Sequence, residues 1–85
     1  MDLPDIEKRL REILETDFRV PAEKIGPSST FRGDMGLDSL DAVDLILFVS
    51  REFGLKPQVD AFRDLHTFQK VAQHLFETTR GVKAG

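Results

Sequence analysis

Apolar residues recur at helical spacing from the start of the chain: Leu3, Ile6, Leu10, Ile13 and Leu14 share one face, and charged side chains fill the other. This pattern predicts an amphipathic helix that ends near Thr16 or Asp17. Asp2 is a candidate cap, Pro4 is tolerated in the first turn, and the pairs Asp5–Arg9 and Glu7–Arg11 place the acid on the favourable side. The pattern then breaks. Residues 18–37 hold Pro21, Gly26, Pro27, Ser28, Ser29, Gly33 and Gly36, a density of breakers that predicts a long loop. A loop of that length in a small protein needs apolar pins, and Val20, Ile25, Phe31, Met35 and Leu37 are available, with Phe31 as a core anchor.

Helical periodicity resumes at Asp38 or Ser39 and runs to Phe53, where Gly54 suits a left-handed stop and Pro57 prevents continuation. Leu40, Ala42, Val43, Leu45, Ile46, Leu47, Phe48, Val49 and Phe53 spread around more than half of this second helix. Such a helix is either central or keeps an apolar face for a partner. Val59, Phe62 and Leu65 suffice for a short third helix, and Phe68, Val71, Ala72, Leu75 and Phe76 mark a fourth. Thr67 is the candidate cap of that last helix, Gly81 its stop, and residues 80–85 are expected to fray. No strand-like alternation persists, so the fold class is all-α: a four-helix bundle with a long loop between helices 1 and 2 and a short third helix.

Composition narrows the function classes. The 85 residues suit one domain, with an ordered core over about 3–79. No stretch approaches the ~20 apolar residues of a membrane span. The N-terminal run MDLPDIEKRL has neither an apolar signal core nor transit-peptide character, so a cytoplasmic location is expected. Zero cysteines exclude a disulfide, a thiolate metal site or a thiol nucleophile of the chain's own. The net charge of −3 argues against nucleic-acid binding and favours basic protein surfaces as partners.

The candidate chemistry lies in GDMGLDSLDAV, residues 33–43. Ser39 alone would be read as a helix cap. With Asp38 as the cap, however, Asp41 falls at the third helical position in an acidic capping box, and Ser39 at the first position has a free hydroxyl. A helix start favours an anionic group, and Gly36 allows a tight turn that leaves room in front of the serine. Other chemistry fits less well. His66 and His74 suggest a hydrolase, but no G-x-S-x-G elbow surrounds Ser39. Asp34, Asp38 and Asp41 lack calcium-loop spacing. His66 is more simply a loop residue and His74 a solvent-side one.

The run F-R-G-D-M-G-L-D-S-L-D-A-V-D-L, Phe31 to Leu45, resembles the acyl carrier protein signature, and the helical layout over residues 3–78 resembles that family's spacing. The resemblance implies that Ser39 receives a 4′-phosphopantetheine arm from a phosphopantetheinyl transferase, with Gly36, Asp38 and Leu40 flanking the attachment point. The arm's sulfur would then carry acyl groups as thioesters for fatty-acid, polyketide or related lipid biosynthesis enzymes, so the chain is expected to be a non-catalytic, monomeric carrier. It further implies a recognition face made by Asp38, Leu40, Asp41, Val43, Asp44, Leu47 and Arg51, and an acyl cavity lined by Leu45, Ile46, Val49, Phe62, Leu65, Val71 and Leu75. Over residues 33–53 five acids oppose one base, a local charge of −4. A solvated helix face and an ordinary core account for the same residues without function.

Two rival readings stay open at this level. An aminoacyl or peptidyl carrier shares the arm, although Asp38 and Asp41 resemble the acyl type more closely. An unmodified helical interaction module would use the same acidic and apolar face. Ser50-Arg51 also departs from the further acids common in fatty-acid-type carriers, which suggests a specialised carrier with a narrowed partner set.

Overall fold

A computed structural model describes the backbone of residues 2–84 and the side chains of residues 2–79. Its regular elements are α1 (Leu3–Thr16), a 3₁₀ turn (Ala22–Lys24), α2 (Ser39–Glu52), α3 (Val59–Phe62) and α4 (Phe68–Ala84). Among the described residues the only strand-like pairing is one antiparallel bridge between Thr30 and Thr67. The fold is all-α, as the periodicity predicts.

The apolar stripe of α1 is fully used, since Ile6, Leu10, Ile13 and Leu14 are buried against a core that also takes Phe68, Val71, Ala72 and Leu75 from α4. At its start the Asp2 N–H donates to the Asp5 carboxylate at 3.2 Å. Arg9 joins α1 to the end of α2 through an ion pair with Glu52.

The long loop is fixed from two sides. Val20, Ile25, Phe31, Met35 and Leu37 are all buried. Its carbonyls also complete α4: Phe68 N–H donates to the Ser29 carbonyl and Gln69 N–H to that of Pro27, each at 3.0 Å, while Lys70 N–H donates to Thr67 Oγ1 at 3.3 Å. These bonds satisfy donors that a helix start leaves without partners. From the other side, the Arg11 guanidinium donates to the Ile25 carbonyl at 2.8 Å and sits 5.5 Å above the Phe68 ring.

Two boundaries differ from the periodicity. The fourth helix continues through Gly81 to Ala84. A glycine inside a helix costs only about 1 kcal/mol, which does not force a stop without a following proline. The expected fraying of residues 80–85 falls on side chains outside the described set. The turn Ala22–Lys24 is the second difference: three residues without a buried side chain carry no periodic signal.

The second helix resolves its own ambiguity. Only Leu45, Val49 and Ser50 are buried along it, whereas Leu40, Leu47 and Phe48 are exposed. It is therefore not a central helix and leaves apolar side chains facing outward.

Candidate functional site

The start of α2 is built from two aspartates that cap each other. Asp38 is extended, with φ −87° and ψ −175°, and its Oδ1 accepts from the Asp41 N–H at 2.9 Å. Asp41 Oδ2 in turn accepts from the Asp38 N–H at 3.3 Å. This reciprocal box satisfies the backbone donors without Ser39. Ser39 is the first helical residue and is exposed, and its hydroxyl has no hydrogen-bond partner among the described residues. Three residues earlier, Gly36 adopts φ +71°, and a side chain added there would meet nothing within 4 Å. The approach to the serine is thus open, and glycine is required by the backbone rather than by crowding.

Ser39 also lines a cavity of about 470 Å³. From α2 the walls include Ala42, Val43, Leu45, Ile46 and Val49, and from the opposite side Val59, Phe62, Leu65 and Val71. Six of the seven expected lining residues are therefore brought together. Leu75 is the exception, buried completely in the core one turn beyond Val71. Val43, expected on the outer face, instead lines the cavity and is half-buried. Both corrections concern rotation about a helix axis, which a broad apolar stripe leaves underdetermined.

The cavity rim holds residues that the apolar pattern does not reveal: Thr30, Arg32 and Gly33 from the loop, with Arg63 and His66 around the α3–α4 connection. His66 is exposed in that connection, as expected. His74 is not on the solvent side. It is half-buried, with its ring edge-on to Phe62 at 4.9 Å between centroids.

Four more residues of the expected recognition face, Asp41, Asp44, Leu47 and Arg51, line a separate shallow groove, together with Phe48 and Glu52 of α2 and with Asp17, Phe18, Arg19 and Leu37. Phe18 and Phe48 meet edge to face at 6.4 Å. Leu40 stands at the top of the helix with 77% of its surface exposed, and Asp38 is exposed beside it.

A serine freed from capping above an apolar cavity is what a tethered apolar cargo requires, and the sequence comparisons agree. The family model described as a phosphopantetheine attachment site matches residues 8–75. The "Acyl carrier protein" of Trieres chinensis is 35% identical over 71 residues, covering 84% of this chain and 89% of its own. The chain belongs to the acyl carrier protein family.

A further relative, "Putative acyl carrier protein, mitochondrial" of Schizosaccharomyces pombe, is 40% identical over 60 residues. That match covers 68% of the carrier described here but only 54% of the relative's length. The prosthetic group of such carriers is 4′-phosphopantetheine, and the residues present fit it: a free hydroxyl at a helix start, open space before it, and an apolar cavity beside it. Neither an aminoacyl carrier nor an unmodified interaction module is favoured by these matches.

Proposed function

We propose that Ser39 is the attachment point of the 4′-phosphopantetheine arm and that the chain carries acyl intermediates as thioesters to enzymes of fatty-acid, polyketide or related lipid biosynthesis. The observation that carries this reading is the position of Ser39, exposed, unbonded and on the rim of the apolar cavity. The arm supplies the thiol that a cysteine-free chain lacks. The chain's own residues do the rest. Asp38 and Asp41 hold the helix start so that the Ser39 hydroxyl faces a phosphopantetheinyl transferase. Leu45, Ile46, Val49, Phe62, Leu65 and Val71 take the acyl chain out of water, where each buried methylene contributes about 0.8 kcal/mol.

Asp38, Leu40, Asp41, Asp44, Leu47 and Arg51 form the surface that basic partner enzymes meet, with acids steering the encounter and Leu40 and Leu47 supplying apolar contact. The carrier acts as a monomer and has no catalysis of its own. We place it in the cytoplasm; no helix among the described residues is long and apolar enough to cross a membrane. The mitochondrial description of the fission-yeast relative sets the competing compartment, and fractionation of the source cells distinguishes the two.

Intact-mass measurement tests the attachment. The protein is incubated with coenzyme A and a broad-specificity phosphopantetheinyl transferase, as wild type and as Ser39→Ala. The wild type gains one arm and the variant none. An unmodified wild type sinks the carrier reading, and an arm on both proteins moves the attachment site.

A further inference from the structure

The cavity beside Ser39 is chemically lopsided. Its walls are apolar, yet its rim carries Arg32, Arg63 and His66, and no aspartate or glutamate lines it, in a chain of net charge −3. Asp38 and Asp41 hold the capping box and Asp41 and Asp44 face the groove, while beside the rim Asp34 is engaged by the Thr30 N–H and hydroxyl and Asp60 pairs with Arg63.

The backbone builds this rim. Phe31 N–H donates to the His66 carbonyl at 3.2 Å, and Thr30 bridges to Thr67, so the loop segment bearing Arg32 lies alongside the connection bearing His66. The Arg32 guanidinium and the His66 ring have no hydrogen bond or ion pair among the described residues. Arg63 is partly engaged, with Nη2 3.2 Å from Asp60 Oδ1. A guanidinium has five N–H donors, and an imidazole keeps at least one in either protonation state.

We propose that Arg32 and His66, assisted by Arg63, are positioning residues that draw the phosphodiester on Ser39 over the cavity mouth. This rests on Ser39 as the attachment point. An anion on Ser39 Oγ is repelled by the carboxylates of Asp38 and Asp41 and attracted by the Arg32 guanidinium on the same cavity lining, with the His66 ring as a further N–H donor. The arm then leaves the serine toward the cavity and away from the acidic groove. Arginine suits the task because its planar fork engages phosphate oxygens in pairs. The net effect is that the cargo is delivered to its apolar shelter by the charge at the root of its tether.

The test uses the holo protein and two readouts. Phosphorus NMR follows the phosphodiester directly, and a pantetheine analogue bearing a solvatochromic fluorophore reports how much of the cargo is sheltered. In Arg32→Gln/His66→Gln the phosphorus resonance shifts away from its wild-type position, and the ratio of sheltered to exposed probe falls about threefold, the scale of exposed charge pairs. Arg32→Lys retains most of the sheltering, added salt weakens it in the wild type, and Lys24→Gln, outside the cavity lining, changes neither readout. Arg32 and His66 are exposed, so melting temperature serves as the control for folding. An unchanged resonance and unchanged sheltering in the double variant overturn the proposal. Intact mass is recorded first: a wild type without the arm indicts Ser39 as the attachment point, whereas a modified protein that fails both readouts indicts the rim alone.

Discussion

At the scale of single residues, the helix start divides two duties between neighbours. Asp38 satisfies backbone donors, and Ser39 keeps an exposed hydroxyl free of them. Asp38→Ala therefore costs about 1 kcal/mol, the usual loss for a capping residue. For a domain of this size that lowers the melting temperature by roughly 4–8 °C. Ser39→Ala removes an exposed, unbonded hydroxyl and leaves melting within the small range of surface substitutions. A calorimetric comparison of the two variants checks this division, and equal losses would show that the serine shares the capping.

Ser50 presents the reverse situation. It is 1% exposed, and its hydroxyl has no hydrogen-bond partner in the described structure. That burial explains why an acid is excluded here: a carboxylate at position 50 would be removed from water without a counter-charge. Arg51, the next residue, is exposed, lines the groove and sits at the helix end where a cation is favoured. Ser50→Ala deletes the orphan hydroxyl and inserts a better helix former, so a gain of about 1 kcal/mol is expected in urea unfolding. Loss of stability in that variant would reveal a bond from the hydroxyl to a carbonyl one turn earlier.

At the scale of elements, α2 shows both what periodicity conveys and where it stops. Its bounds were legible, because Asp38 opens it and Gly54, with φ +69°, turns the chain behind it. No atom crowds a side chain built at Gly54, so Gly54→Ala is opposed by the backbone alone. A cost of about 1–2 kcal/mol is expected, measurable as a shift of the denaturation midpoint without a change in slope.

The rotation of α2 was less legible. Nine apolar residues around more than half a circumference do not specify which of them face the cavity, and Val43 was placed on the wrong side for that reason. Leu75 shows the same limit on α4. The loop was legible through its pins but not through its bonds. Carbonyls of Pro27 and Ser29 that complete α4 are main-chain groups, and no side-chain pattern announces them. The rim arginines escaped for a related reason, since Arg32 and Arg63 are far apart in sequence and main-chain contacts such as Phe31–His66 and Thr30–Thr67 bring their segments to one opening. Arg19 is a further feature hidden from patterning. It holds φ +55°, a conformation that glycine adopts more readily, while its side chain lines the groove opposite Asp41 and Asp44.

At the scale of the whole molecule, stability and function meet in the cavity. The apolar cleft beside Ser39, about 470 Å³ and partly open to solvent, leaves its wall side chains with contacts not made. On the proposed reading, an acyl chain seated there supplies them. Each methylene that enters contributes at most about 0.8 kcal/mol, part of which is offset by ordering the chain. The melting temperature of the acyl forms should therefore rise with chain length above that of the holo form, then level off once the cavity is full. Substitution of a wall residue sets the position of that plateau. Ala42→Leu adds three carbons to the α2 wall, so the plateau should arrive about three methylenes earlier while the holo form melts close to wild type. A calorimetric series of saturated acyl forms in both proteins measures it. A melting temperature independent of chain length in the wild type would mean that the chain remains outside. A plateau unmoved by Ala42→Leu would mean that the cargo passes along the Phe62–Leu65 wall without touching α2.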